Sequence, residues 1–289
     1  MEGERVAKLT AFTQLGIGLV EILVGQLSSS ISLTTDGVDS LSDSTITLLV
    51  WLGLRFSKKA PDGRFHFGYL KVESLMALVA SGGMFAIAST LFYYSYMRLL
   101  EPKVLSYPTV ALITLIGAGS IALYRAFQMR QVAKKHNLMS LKAAALNSIK
   151  DASGSFTAFG AVFASTIGFL QLDAIGGMII AGYVCFVAYT SIKESSLVLL
   201  DACHRPELVE VIRKIVEKKH NAEVEEVRLR RAGPYVVGSL RIRVDGDLRL
   251  YGVDELVREI EVDLSKEIVG LGRLVISARA RSGSDTVRP

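Results

Sequence analysis

The sequence predicts an α-helical membrane protein: six transmembrane helices followed by a small cytoplasmic α+β domain of order α-β-β-α-β. Three observations predict it. Half of the 289 residues are apolar and the mean hydropathy is +0.38, too greasy for an ordinary soluble domain. Apolar stretches of about 20 residues, the length that crosses roughly 30 Å of hydrocarbon, recur six times, near 6–27, 31–56, 70–99, 107–129, 141–169 and 174–200. Beyond Asp201 the composition turns to charged residues and short alternating runs. The expected division is therefore a transmembrane domain over 1–202 and a cytoplasmic domain over 203–289.

The net charge of +5 invites a nucleic-acid reading until it is mapped. Arg55, Lys58, Lys59, Arg64 and Lys71 flank the second loop, and Arg125, Arg130, Lys134, Lys135 and Lys142 flank the fourth. The first and fifth loops carry no basic residue, and the third carries only Arg98 and Lys103 at its edges. By the positive-inside rule both termini and the C-terminal domain are expected in the cytoplasm, and the basicity is topology, with no nucleic-acid partner. No cleavable signal is expected at the N-terminus, and Cys185 and Cys203 make no disulfide framework.

The first span carries Glu21 among Leu and Val, either as a relay for protons or metal or as a carboxyl paired with a neighbour. Ser28–Ser30 form a polar turn. The second span then holds Asp36, Asp39 and Asp43 with no basic residue beside them. Offsets of three and four place all three on one helical face. Each costs about 2.5–3.5 kcal/mol near a bilayer centre on insertion scales, so a compensating ligand is expected, and a divalent cation is the simplest.

Pro61 and Gly63 break the second span. Asp62 and His66 in that loop are either secondary metal ligands or solvated loop residues. The aromatic run Phe92–Tyr96 reads as an interfacial anchor of the third span. The fifth span sets Asn147 and Asp151 one turn apart among small residues that admit a neighbouring helix. Lys150, about 100° round the helix from Asp151, is expected to snorkel toward the cytoplasmic boundary. Asp173 is expected to cap the sixth span.

The C-terminal part reads as a helix from Pro206, strands over 225–231 and 237–244, a helix over 253–269 and a strand over 274–278. Leu240, Ile242 and Val244 alternate with Arg241 and Arg243, so one sheet face is buried and the other is wet. Cys203-His204, beside Asp201, is a weak metal candidate, because adjacent residues seldom chelate one ion.

Two helices thus each offer two oxygen ligands a turn apart, Asp39 with Asp43 and Asn147 with Asp151. Side by side they would surround one ion, and protons and metal would compete for the same carboxylates. Here a family resemblance enters. Gly25-x-x-Ser28-x-Ser30 through Asp36-x-x-Asp39-Ser40-Leu41-x-Asp43, Phe67-Gly68-Tyr69-x-Lys71-x-Glu73-Ser74, Asp173-x-Ile175-Gly176-Gly177 and Leu200-Asp201 with Pro206 together resemble the cation diffusion facilitators. The resemblance implies a homodimeric, proton-coupled exporter of divalent cations with a metallochaperone-like cytoplasmic domain. It also implies a transport site at Asp39, Asp43, Asn147 and Asp151. Asp36, Asp62 and His66 are secondary metal candidates on their residue types alone.

The chain departs from the family's zinc pattern. Zinc-transporting members usually carry a histidine at Asn147's position and often at that of Asp39. An all-oxygen set suits Mn²⁺ or Fe²⁺, with Zn²⁺ and Co²⁺ still within reach of its affinity. Phe65 and Tyr69 stand where an extra loop site has histidines, and the cytoplasmic positions Glu225, Arg241 or Arg243, Ser277 and Arg279 replace metal-binding ones. The expectation is therefore a transporter rather than an enzyme, with no prosthetic group and the metal as substrate. The alternative is a membrane-anchored metal sensor that does not transport.

Overall fold

Apolar runs interrupted by turn residues become six long helices: α1 (Glu2–Ser28), α2 (Ile31–Ser57), α3 (Val72–Leu100), α4 (Pro108–His136), α5 (Met139–Thr166) and α6 (Gln171–Leu199). In this computed structural model the described residues are 2–57, 59, 61–136, 139–203, 206–220, 222–232, 235–268 and 270–281. Among them, Val72–Leu100, Pro108–Gln131 and Gln171–Leu199 are long and apolar enough by themselves to cross a membrane. In α1 the stretch Phe12–Ser28 is apolar but shorter. The chain divides into two compact units, Met1–Leu52 with Met76–Ile192 and Gly53–Leu75 with Lys193–Pro289.

The first unit is apolar outside and buries polar side chains beside an apolar cluster around Leu33, Leu115 and Val162. Phe85, Phe92, Ile113, Phe127, Phe163 and Phe186 are exposed, while Ser32, Thr35, Asp36, Asp39, Ser148, Asp151 and Ser155 are buried. That inversion suits a hydrocarbon solvent. Small residues let α1 and α2 approach: a Cβ on Gly18 would lie 2.9 Å from the Gly37 carbonyl oxygen, and one on Gly37 would lie 2.8 Å from the Ile22 nitrogen. Any larger side chain there forces the helices apart.

At the start of α2 the structure corrects an expectation. Asp173 lies inside the first turn of α6 and caps a different helix. Its carboxylate accepts hydrogen bonds from Ser30 Oγ at 2.6 Å, Ile31 N at 2.9 Å, Ser32 N at 3.3 Å and Ser32 Oγ at 2.5 Å. An anionic cap on the first amides of α2 satisfies donors that have no intrahelical partner. It thereby fixes the register of the helix that carries Asp39 and Asp43.

The second unit contains α7 (Pro206–His220), β1 (Glu223–Ala232), β2 (Tyr235–Val244), α8 (Leu250–Glu267) and β3 (Leu271–Ala280). The sheet order is β1-β2-β3, with β1 antiparallel and β3 parallel to β2. Ile212 and Val216 of α7, Ile260 and Leu264 of α8, and Leu240 and Ile242 of β2 form one fully buried cluster. Burying each such side chain is worth about 1.5–3 kcal/mol. Arginine–carboxylate pairs cross the sheet: Arg241 Nη1 lies 3.1 Å from Glu226, and Arg243 and Arg279 each lie 3.8 Å from Glu225.

The same unit holds a charged clamp. Asp201, at a positive φ of 63°, receives Lys71 Nζ at 2.9 Å and Arg230 Nη1 at 3.2 Å, and Lys71 also donates to the Leu199 carbonyl at 3.1 Å. The hydrogen bond from Lys71 is the main reason the Asp201 carboxyl titrates below its ordinary range.

Candidate functional site

α2 and α5 bring the sequence-predicted acids together. One carboxylate oxygen from each of Asp39, Asp43 and Asp151 lies within 4.8 Å of the others. Among the described residues no other set of three or more His, Cys, Asp or Glu side chains converges in this way. Asp39 and Asp151 are buried and Asp43 nearly so. Three anions so placed, away from bulk water, demand compensation.

Part of that compensation comes from a residue expected elsewhere. Lys150 does not snorkel to the boundary. Its Nζ stands 3.0 Å from Asp39 Oδ2, 2.9 Å from Asp43 Oδ2 and 3.6 Å from Asp151 Oδ1, with its side chain 17% exposed. The helical offset sets only the direction of Cα–Cβ. A four-carbon stem is long enough to bend across to the facing helix, and three carboxylates draw it there. Asn147 is exposed and joins the cluster as a donor, its Nδ2 lying 3.3 Å from Asp43 Oδ2. Its carbonyl oxygen faces an ion only after the amide turns over.

Two further partners were not singled out from the sequence. Arg125 of α4, counted there as a loop-flanking charge, is buried, with Nη2 3.6 Å from Asp151 Oδ2. Gln14 of α1 donates to the same oxygen at 3.0 Å. A signal for Arg125 was present, since an arginine inside an apolar span needs an intramembrane partner. Gln14 offered none.

Asp36 lies off the cluster, its Oδ1 only 2.7 Å from where a Cβ on Gly154 of α5 would sit. Glu21 is fully buried against α2, and neither carboxylate oxygen accepts a hydrogen bond of good geometry. Asp62 and His66 are not brought to the cluster. Asp62 Oδ1 accepts from the Arg64 and Phe65 amides at 2.9 Å each, and its Oδ2 accepts from the Tyr69 hydroxyl at 2.5 Å. Those bonds, the Tyr69 one foremost, hold its carboxyl below the ordinary range. His66 Nε2 lies 3.2 Å from the Gly63 carbonyl oxygen. Cys203 is a free, half-buried thiol, and His204 lies outside the described residues.

A helical unit that is apolar outside and holds convergent carboxylates inside defines a class, a helical membrane protein with acidic side chains in its interior. Comparison with known proteins gives that class a family. The chain belongs to the cation efflux family: residues 7–200 match its transmembrane domain and residues 204–276 its cytoplasmic domain. The resemblance to the cation diffusion facilitators therefore holds over both domains.

Among its relatives is the manganese efflux system protein MneS of Bacillus subtilis (strain 168), 24% identical over 266 residues and 92% of each chain. MneP, a second manganese efflux system protein of that strain, is 23% identical over 288 residues, 95% of this chain and 96% of its own. The zinc transporter ZitB of Pectobacterium atrosepticum is 27% identical over 202 residues, 68% of this chain and 62% of its own.

Proposed function

We propose that this protein exports a divalent metal cation from the cytoplasm in exchange for protons, with Mn²⁺ or Fe²⁺ preferred over Zn²⁺ and Co²⁺. The observation that carries the proposal is the convergence of Asp39, Asp43 and Asp151 within the transmembrane unit. Carboxylates bind a metal only when ionised, so each proton taken up competes with the ion, and an opposing proton gradient can drive release. The hard, all-oxygen donor set, completed by the Asn147 amide oxygen, favours Mn²⁺ or Fe²⁺ over softer ions. The relatives named for manganese efflux support the same choice.

On this reading the transport domain spans 1–202 and the cytoplasmic domain 203–289. The protein is a homodimer in the cytoplasmic membrane with both termini inside. It acts as a carrier and not as an enzyme, and the metal is its substrate.

The experiment is metal uptake into inside-out proteoliposomes under an imposed pH gradient, run in competition across Mn²⁺, Fe²⁺, Co²⁺, Zn²⁺ and Cd²⁺. The proposal expects concentrative Mn²⁺ or Fe²⁺ uptake with proton counterflow. One observation favours a second reading, a membrane-anchored metal sensor: Lys150 lodged among the carboxylates. A sensor would take up metal to one ion per site and stop, whereas a carrier accumulates many.

A further inference from the structure

Lys150 occupies the place where an ion would have to sit. Its ammonium contacts Asp39 and Asp43 at hydrogen-bond distance and stands 3.6 Å from Asp151, and these are the three acids whose oxygens converge. A space bounded by three carboxylates this close admits one cation at contact distance. A second would meet the full repulsion of the first in a medium that screens poorly. Metal and ammonium are therefore mutually exclusive. The lysine is attached to α5 itself, one residue before Asp151, so it cannot diffuse away and is always at hand when the metal leaves.

We propose that Lys150 is a tethered counter-ion, filling the site in the empty carrier and being displaced from it by each arriving metal ion. This rests on the functional reading above and adds a residue to it. The consequence concerns the empty half of the cycle. A site of three bare carboxylates is costly to carry through an occluded, water-poor intermediate. With the ammonium in place and Arg125 beside Asp151 as a second, fixed positive charge, one carboxylate's charge remains for the counter-transported proton to neutralise. In this position the Tyr183 ring of α6 also lies 5.8 Å from Nζ, an aromatic face that attracts an ammonium. Lysine suits the task better than arginine would in one respect: its head is a compact point charge on a flexible stem, free to leave without breaking a planar bidentate fit.

The first test titrates Mn²⁺ into the purified full-length protein and then compares two fluxes in proteoliposomes, net Mn²⁺ efflux and Mn²⁺-for-Mn²⁺ exchange. Lys150→Gln removes the competitor, so the apparent Kd for Mn²⁺ should fall at least tenfold. It should also slow net efflux relative to exchange at least tenfold, because exchange never requires the empty site to reorient. Lys150→Arg keeps a tethered cation and should restore the exchange-to-net ratio to within a few-fold of wild type.

A second measurement needs no variant. In the wild type, acylation of Lys150 by an amine reagent, read by mass spectrometry, should accelerate when Mn²⁺ is added. A Kd in Lys150→Gln equal to or weaker than wild type would overturn the proposal, as would Lys150 labelling unchanged or slowed by Mn²⁺. If Lys150→Gln does not fold, the labelling result decides alone. A wild type that neither binds nor moves Mn²⁺ sinks the functional reading itself. A wild type that transports, matched by Lys150→Gln in both assays, removes only the role of the lysine.

Discussion

The two units use the same side chains in opposite ways. In the cytoplasmic unit, Leu240, Ile242, Ile260 and Leu264 are wholly buried while arginines and glutamates pair across the wet face of the sheet. In the transmembrane unit, phenylalanines face outward and carboxylates, a lysine and an arginine are packed inside. Surface ion pairs contribute about 0–1 kcal/mol each, so those of the sheet are dispensable. Buried charges are tolerated only when compensated, and removing one partner typically costs about 3–5 kcal/mol. The comparison teaches that charge in the second unit decorates a fold held by apolar burial, whereas charge in the first is buried beside an apolar cluster and compensated among the helices.

That contrast can be broken at several points. The largest effect belongs to the buried acids. Asp43→Asn and Asp151→Asn should each abolish metal-driven proton flux in proteoliposomes while the protein still elutes as a folded species on size exclusion. Full flux in both would remove the site assignment. Next comes the apolar core of the cytoplasmic unit: Ile260→Ala should destabilise that unit by about 2–5 kcal/mol, seen as an earlier transition in denaturant. Gly37→Leu attacks the close approach of α1 and α2. It should cost about 1–3 kcal/mol through overpacking and lower the thermal stability of the detergent-solubilised protein.

The smallest effect is at the clamp on Asp201. Its folded-state carboxyl lies below the ordinary value, so the stabilisation is present above the unfolded value of about 3.9 and is lost as pH falls through the folded one. Both partners are about two-fifths exposed, so Asp201→Asn should cost no more than about 1 kcal/mol. It should also flatten the acid limb of a stability–pH curve. A loss several times larger would mean that the clamp does more than pair exposed charges.

Much of this was legible in the sequence, and for physical reasons. Apolar length placed the helix ends to within about four residues, except that α4 runs on to His136, past the expected 129, through a charged stretch that reads as loop, and alternation found β2. The start of α8 was read three residues late because Leu250 and Tyr251, which open it, are exposed and so fit no amphipathic period. Spacing of three and four residues brought Asp39, Asp43 and Asp151 into view because helical geometry is local. What spacing could not supply was tertiary. Asp173 caps α2, a helix more than 100 residues away in sequence. Arg125 turns inward to Asp151, and the stem of Lys150 carries its charge to a place its Cβ does not point toward.

The central claim is that one ion sits between α2 and α5. Anomalous diffraction from crystals soaked in Mn²⁺ tests it most directly. The account predicts a single intramembrane peak in contact with Asp39, Asp43 and Asp151, with the Lys150 ammonium moved out of the cluster. A lysine still lodged there, with manganese bound elsewhere in the chain, would contradict it.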